Sequence, residues 1–336
     1  MTFKANLTID DIARELGVSK TTVSRAISGK GRISAATRER VQAYIELHNY
    51  RPSAAAKGLA ESRTYNLALV LPKDFINLDI PFVRNTMSAI CEEAFHHNYN
   101  IMICLCTDDA PDHLVRILDH RKADAVILTR TLENDRLLDF LASRGFPFAT
   151  LGSLPLCNQD KAIVEADHDQ LGGCRAFSLA FLGSGTGKAA LLINDMNYIV
   201  NQSRLAGFQS ACRELGIPLE QTPVCSGIND QESCCQAVEG LLAQGVRRFL
   251  CSDEDIAERA LRALKANGLR IPQDAVLASL ADSDKLQNAV PPISALHFDP
   301  LALGSAACRE MIRALQDEPY DPKPRIGYEI CMRGSF

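Results

Sequence analysis

The stretch "LGVSKTTVSRAISGKG", residues 16–31, places apolar residues at helical spacing and leaves a polar face beside them. Val23, Ala26 and Ile27 share one side of a helix, which suits packing into a core. The residues left outside are Lys20, Thr21, Thr22, Ser24 and Arg25. Periodicity alone leaves two interpretations open: a solvated face of a small structural bundle, or a face that reads DNA.

The flanking residues supply the start and end signals of three short helices. Thr8 begins a capping-box-like "TIDD", and Gly17 permits a left-handed end to the first helix. Ser19 caps a second helix over roughly residues 20–28, which Gly29 ends, and Ser34 caps a third. A helix, a tight turn containing glycine and a second helix form the helix-turn-helix pattern.

Charge is unevenly distributed along the 336 residues. The net charge of −5, taken alone, argues against a nucleic-acid binder. Residues 1–63, however, hold 11 Lys and Arg against 6 Asp and Glu, whereas the remainder holds 25 against 35. Because phosphate contacts need local positive charge, a basic head on an acidic body is compatible with DNA binding.

From Tyr65 onward, apolar runs alternate with amphipathic stretches such as 200–215 and 254–267. The runs are "NLALVLP" 66–72, "NIMICLC" 100–106, "DAVILT" 124–129, "PFATLG" 147–152, "AIVEA" 162–166, "AALLI" 189–193, "RRFLC" 247–251 and "AVLASL" 275–280. Such alternation implies parallel sheets covered by helices on both faces. This number of strands suits two lobes, with a ligand cleft at the carboxyl ends of the strands.

Several other protein classes lack support in the sequence. The start, "MTFKANLTIDD", has no apolar signal region, and no apolar run approaches the ~18 residues of a membrane span. The 12 cysteines form no CxxC pair or zinc spacing, so we expect free thiols in a reducing cytoplasm. "GSGTGKAALLI", 183–193, is one residue too short for a phosphate loop, and Ala189 follows its lysine. We expect a helix-to-strand turn there, and a regulator rather than an enzyme.

The head and linker together resemble a known family. The stretch "LTIDDIARELGVSKTTVSRAISGKGRISAATRERVQAYIELHNYRPSAAAKGL", residues 7–59, is similar to the DNA-binding head of the lactose-repressor/galactose-repressor family of bacterial transcription regulators. The resemblance implies a small all-α helix-turn-helix head plus an α/β body of two doubly wound parallel-sheet lobes of the periplasmic-binding-protein type. It divides the chain into a DNA-binding domain 1–50, a hinge helix or linker 51–63, and an effector-binding and dimerisation domain 64–336.

The expected DNA contacts follow from this resemblance and from the chemistry of the second helix. Lys20, Thr21 and Arg25 fall where the family reads operator bases, and arginine can bond guanine through two hydrogen bonds. Lys30 and Arg32, in the following loop, suit phosphate contacts. The remaining predicted contacts in the head are Thr8, Ser19, Thr22 and Ser24.

The linker "RPSAAAKGLA", residues 51–60, is too short for a stable isolated helix. A plain flexible tether is one interpretation of it. The resemblance implies a hinge helix that folds on DNA beside that of its dimer mate, with Leu59 wedged into the minor groove and Ser53 and Lys57 among the DNA contacts.

The resemblance also places an effector site in the cleft of the body. "SRLAGF" aligns Arg204 with an arginine that grips ligand hydroxyls, and Asp167 lies at a strand end where an acid often faces the ligand. Phe82 and Thr129 fall on the same rim. Ordinary packing within a lobe is the alternative for each residue.

Two positions depart from the family pattern. "SDED", 252–255, replaces an Asn-Asp pair, and "SLAD", 279–282, has Ala281 where an Asp often bonds sugar hydroxyls. Asp282 remains, and we hypothesise that Asp253 supplies the missing acceptor. Because Ala281 cannot accept a hydrogen bond, an unusual sugar, a modified sugar or another small molecule stays open as the effector.

The sequence therefore predicts a cytoplasmic, ligand-responsive regulator, with repression of carbohydrate-utilisation genes as its expected role. Its expected partners are a palindromic double-stranded DNA operator, a small-molecule effector, a sugar or sugar derivative, and a second copy of itself in a homodimer. No cofactor, metal or membrane partner is expected. A sugar-binding protein without a DNA role is the alternative, and a nucleotide-dependent sugar enzyme rests only on the defective glycine loop.

Overall fold

Two compact units, residues 1–64 and 65–336, make up the chain in a computed structural model. The structure describes residues 7–29, 31–50, 58, 61–73, 81–106, 111–155 and 163–336. Each unit has its own apolar core.

Three helices of the head lie within its described residues 7–29 and 31–50: α1 Ile9–Leu16, α2 Lys20–Ser28 and α3 Ala35–Leu47. Thr8, Ser19 and Ser34 are their N-caps, so the predicted helix starts are confirmed. Gly17 and Gly29 end α1 and α2 with positive φ, as predicted. The buried core of this bundle consists of Ile12, Ala13, Val23, Ala26 and Val41.

The first lobe of the body is a six-stranded parallel sheet in the order β11-β5-β4-β3-β1-β2. Its strands are β1 Asn66–Pro72, β2 Asn100–Cys106, β3 Ala125–Leu128, β4 Phe148–Leu151, β5 Val164–His168 and β11 Arg325–Ile326. Its helices are α4 Pro81–His96, α5 Asp112–Asp119, α6 Arg136–Ser143 and α12 Pro300–Leu315. Residues 67–72 of β1 are buried throughout, because helices cover both faces of the sheet.

The second lobe repeats this arrangement in the order β12-β10-β9-β8-β6-β7. Its strands are β6 Ala189–Leu192, β7 Val224–Cys225, β8 Arg248–Cys251, β9 Val276–Ser279, β10 Ser294–Phe298 and β12 Tyr328–Cys331. Its helices are α7 Gln170–Gly183, α8 Ile199–Glu214, α9 Gln231–Ala243, α10 Glu254–Ala266 and α11 Asp284–Gln287. The edge strand β12 runs antiparallel to β10, whereas the other pairs are parallel.

The chain passes between the lobes three times. It leaves the first lobe after β5, returns from β10 to α12, and crosses again from β11 to β12. Leu303, Ala307 and Met311 of α12 pack in the core of the first lobe. These crossings place the carboxyl ends of the parallel strands of both lobes along one cleft.

All eight strands predicted from apolar runs are present, and the predicted fold class is confirmed. The structure adds β7, β10, β11 and β12, which the apolar runs did not indicate. The glycine-rich segment 184–188 connects α7 to β6, so the prediction of a helix-to-strand turn is confirmed. Gly187 has φ +111 there, a conformation that favours glycine.

The described residues include eleven of the twelve cysteines. Their eleven cysteines are free thiols. No group of three potential metal ligands occurs among these residues. None of their helices has the length and apolarity needed to cross a membrane.

Candidate nucleic-acid interface and ligand cleft

The N-cap of α2 engages one of the polar side chains in its first turn. The Ser19 hydroxyl accepts the Thr22 backbone N–H at 3.1 Å and lies 2.8 Å from the Thr22 hydroxyl. Thr22 is therefore half-buried and engaged at the cap, whereas Lys20, Thr21, Ser24 and Arg25 are exposed. The exposed side chains share one face, because their positions are one, four and five residues apart along the helix.

The two cationic side chains of this face, Lys20 and Arg25, each lie beside another part of the head. Lys20 forms an ion pair with Asp10 of α1, which ties the start of the helix to its neighbour. The stem of Arg25 lies against the loop at Gly31, where a Cβ would come within 3.0 Å of Arg25 Cδ. Gly31 also has φ +87, so both its conformation and its space favour glycine. The absence of a Cβ at Gly31 leaves room for the Arg25 stem.

Thr8 forms a complete capping box with Asp11 at the start of α1. The Thr8 hydroxyl accepts the Asp11 N–H at 3.2 Å, while Asp11 Oδ2 accepts the Thr8 N–H at 3.0 Å. The side-chain and backbone hydrogen bonds from Thr8 lower the pKa of Asp11. The charge of Asp11 also suits the helix N-terminus.

We expect Thr8→Ala to lower the stability of the head by about 1 kcal/mol, because it removes the acceptor of an N-cap bond. Hydrogen exchange of the α1 amides in the full chain measures this loss. Thr8→Ser keeps the hydroxyl and should retain the protection of these amides. Equal loss of protection in both variants would argue against the capping bond as the cause.

A cavity of about 300 Å³ lies between the lobes of the body. The first lobe lines it with α4 and with the ends of β3, β4 and β5. The second lobe lines it with the first turns of α8 and the ends of β8 and β9. All six predicted effector residues line this cavity: Phe82, Thr129, Asp167, Arg204, Asp253 and Asp282.

Asp167 is a buried acid at the end of β5. Its Oδ2 accepts the Ser153 N–H at 2.8 Å and the Ser153 hydroxyl at 2.6 Å, and its Oδ1 accepts the His168 N–H at 2.8 Å. Burial raises the pKa of Asp167, although the Ser153 hydroxyl opposes that shift. The carboxyl is thus held rigidly by the protein itself.

Phe82 and Thr129 contribute an aromatic ring and a hydroxyl group to the first-lobe wall of the cavity. Phe82 lies in the first turn of α4 with its ring centre 6.1 Å from that of His168. The Thr129 hydroxyl, directly after β3, donates to the Val70 carbonyl at 2.8 Å. Phe82 therefore offers an apolar surface to the cleft, whereas the Thr129 proton is already engaged.

Arg204 lies near the start of α8. One of its terminal nitrogens, Nη1, donates to Asn201 Oδ1 at 3.1 Å. Its Nε is buried and has no hydrogen-bond partner among the described residues. Because a buried donor without a partner is costly, this nitrogen is suited to a bound acceptor.

Asp253 and Glu254 begin α10 on the same lobe. Asp253 is the N-cap, accepting the Ile256 N–H at 2.9 Å and the Ser252 hydroxyl at 3.0 Å. Glu254 has a pKa raised to about 7, mainly by burial and then by the Asp253 charge, while Arg204 opposes the shift. The Glu254 carboxyl is therefore about half protonated at neutral pH.

The carboxylate of Asp282 is committed to Arg333. Arg333 donates from Nη1 to Oδ1 at 2.8 Å and from Nη2 to Oδ2 at 2.6 Å. The Asp282 side chain is only 1% exposed, so its oxygens are turned away from solvent in the cleft. Arg333 also donates to the Ile293 carbonyl at 2.6 Å, which fixes the loop after β9 to the end of β12.

Residues 8–53 match the family described as bacterial regulatory proteins, lacI family. The head of the chain is thus a lacI-family DNA-binding domain, and the curated relatives of the chain include HTH-type transcriptional regulators. Residues 179–336 match the periplasmic binding protein-like domain. The family recognised from the sequence is confirmed.

Similar proteins match nearly the whole length of the chain. The HTH-type transcriptional regulator CelR of Thermobifida fusca is 26% identical over 319 residues, covering 94% of each chain. A structure of a CelR–cellobiose complex has a TM-score of 0.75 at 24% identity, covering 98% of this chain and 100% of that one. A lac repressor dimer bound to operator and the anti-inducer ONPF has a TM-score of 0.78 at 21% identity, covering 98% and 99%.

The structure shows where most of the predicted DNA contacts lie but tests the DNA-binding role of none of them. Thr8, Ser19 and Thr22 form caps, while Lys20, Thr21, Ser24, Arg25 and Arg32 are exposed. Four predicted contacts, Lys30, Ser53, Lys57 and Leu59, lie outside the described residues. Their DNA-binding roles stay predictions.

Sequence reasoning missed several residues of the cleft, of which Arg130 and Tyr198 connect the two lobes. Arg130 Nη1 donates to the Tyr198 hydroxyl at 3.1 Å, and its guanidinium carbon lies 5.6 Å from the Tyr198 ring centre. Glu254 was quoted within "SDED" but not assigned to the site. Arg130 and Glu254 come two or three residues after a strand end, and that position was the available signal.

Proposed function

We propose that this protein regulates transcription by binding a palindromic operator through α2, and that a small molecule in the cleft changes its affinity for DNA. The observation that carries the proposal is the exposed polar face of α2, set in a helix-turn-helix that matches the lacI family. Lys20, Thr21 and Arg25 would contact bases, and Arg32 and Lys30 would contact phosphates. A periplasmic-binding-protein-like body without a DNA-binding role does not account for this head.

A homodimer with a paired hinge completes the proposal. A two-fold operator is matched by a two-fold protein, and the lac repressor structure is a dimer on its operator. In the proposed division, residues 1–50 bind DNA, 51–63 form the hinge and 64–336 bind the effector and the second copy. Leu59 of the hinge would then enter the minor groove, with Ser53 and Lys57 beside it.

The proposed effector is a sugar or sugar derivative that binds between the lobes. The three crossings allow the lobes to move relative to one another, so a ligand that contacts both can favour one arrangement. The related CelR has been crystallised with cellobiose, which supports a carbohydrate. The proposed location is the cytoplasm, where the operator lies.

Selection of a binding site from random double-stranded DNA by the purified full chain tests the DNA-binding proposal. We expect a palindromic sequence to emerge and to bind more tightly than random DNA at the same salt concentration. Fluorescence anisotropy gives the two affinities. Equal affinity for selected and random DNA would overturn the assignment as a specific regulator.

A further inference from the structure

We propose that the effector of the cleft carries an anionic oxygen group, as in a sugar phosphate or a sugar acid, and that Arg204 binds that group. This inference rests on the proposed function, because it names the class of ligand for the same cleft. It follows from the arginine donors of the cavity wall: Arg130 donates to Tyr198, whereas the buried Nε of Arg204 has no hydrogen-bond partner among the described residues.

The carboxylates of the cavity wall are largely committed to donors of the protein. Asp167 accepts three hydrogen bonds from Ser153 and His168. Asp282 accepts two from Arg333 and one from the Ser283 N–H. A neutral sugar offers many hydroxyl protons, and these two acids have few acceptor positions left for them.

The remaining two aspartates, Asp253 and Asp255, are less fully occupied. Asp253 accepts at both oxygens as the cap of α10. Asp255 lies 3.5 Å from the Lys285 ammonium. Ala281 adds only a methyl group to this side of the cavity. Asp253 and Asp255 therefore keep acceptor positions for hydroxyl groups of a ligand whose anionic group binds elsewhere in the cavity.

Arg204 supplies the free donor. Its Nε is buried without a partner among the residues described, beside an Nη1 that Asn201 holds in place. A guanidinium fork matches the paired oxygens of a phosphate or carboxylate. An anionic group at this position would satisfy the buried donor, which no group of the protein does.

The protonation state of Glu254 affects how tightly an anion binds beside Arg204. The groups whose charge affects it are Asp253 and Asp255 from its own helix and Arg204 from α8. Because burial raises its pKa to about 7, Glu254 is neutral in a large fraction of molecules at neutral pH. In the neutral form its O–H can donate to the ligand, whereas the charged form repels an anion.

Matched pairs of probes test the ligand class. Glucose 6-phosphate and glucuronate are compared with glucose at equal concentration and ionic strength, by the melting temperature of the full chain. We expect one or both anionic probes to raise the melting temperature more than glucose does. A rise with glucose 6-phosphate alone indicates a phosphate ligand, and a rise with glucuronate alone indicates a carboxylate ligand.

Two variants test whether the rise in melting temperature depends on Arg204. Arg204→Gln should lose the shift caused by the anionic probe. Arg175→Ala, which removes an exposed arginine paired with Glu214 outside the cleft, should keep it. A greater shift with glucose than with either anion, or no shift with either anion, overturns the anionic class. Neither result affects operator selection without a ligand, which tests the proposed function separately.

The pH dependence provides a readout that packing alone would not produce. For the probe that binds, we expect a proton-linked affinity that weakens about tenfold from one unit below to one unit above the Glu254 pKa, since only the protonated form binds well. Glucuronate stays fully charged over this range, whereas glucose 6-phosphate needs correction for its own titration. Glu254→Gln should remove the remaining dependence, and its persistence in that variant would overturn the role of Glu254.

Discussion

Arg333→Ala is expected to lower the free energy of unfolding of the body by about 3–5 kcal/mol, because it leaves a buried carboxylate without its partner. Asp282 is 1% exposed and receives two short bonds from the Arg333 guanidinium. The same substitution removes the bond to the Ile293 carbonyl. Urea unfolding of the full chain, followed by circular dichroism, measures the loss.

A surface ion pair of similar geometry supplies the matched control. Arg270 donates to both carboxylate oxygens of Asp274 at 2.8 and 3.1 Å, but its side chain is 75% exposed. Arg270→Ala should therefore destabilise the body far less than Arg333→Ala does, because solvent screens an exposed ion pair. A similarly small cost for Arg333→Ala would show that Asp282 is not effectively buried.

A double substitution separates the charge from the contact. Asp282→Leu combined with Arg333→Met removes both charges and retains much of the side-chain volume. We expect the double variant to be more stable than Arg333→Ala alone, since replacing a buried pair by apolar residues is often nearly neutral. If the double variant is the less stable of the two, the packing around the pair matters more than the unpaired charge.

The strands that the sequence predicted share one physical property. Residues 67–72 of β1 are buried, as are all of β3, β6 and β8, so each central strand reads as an apolar run. Strand β10, "SALHF", was missed because it includes polar residues. The Ser294 N–H donates to the Ser335 hydroxyl at 2.8 Å, a partner forty-one residues away that no local pattern reveals.

The candidate cleft was predictable only in part for the same reason. The resemblance to a family supplied Arg204 and Asp167, and both line the cavity. The commitment of Asp282 depends on Arg333, fifty-one residues later in the chain. The pair of Arg130 and Tyr198 joins residues from different lobes. Pairings of this kind arise from topology, so residue type and spacing do not indicate them.

Arg25→Ala is expected to reduce discrimination at one operator base pair by about 1–3 kcal/mol, roughly tenfold to a hundredfold in relative affinity. Arg25 is exposed on α2, and its stem lies beside Gly31. Anisotropy titrations with the selected operator and its single-base variants measure the discrimination.

Arg38→Ala is a control that distinguishes the loss of a base contact from the loss of a positive charge. Arg38 is an exposed arginine on α3, and its removal takes away the same charge from the head. Both variants should weaken binding to all DNA through the loss of electrostatic attraction, but only Arg25→Ala should relax preference at one base pair. Equal relaxation in the two variants would refute a base contact by Arg25.

Gly31→Ala tests the positioning of Arg25 without removing it. The added Cβ would meet the Arg25 stem at 3.0 Å in a backbone conformation that disfavours alanine, so Arg25 should be displaced. We expect discrimination to fall at the same base pair as in Arg25→Ala, with the net charge unchanged. Because charge is constant in this comparison, a fall confined to that base pair can only come from the position of the guanidinium. Unaltered discrimination would show that the contact with Gly31 does not orient Arg25 for DNA.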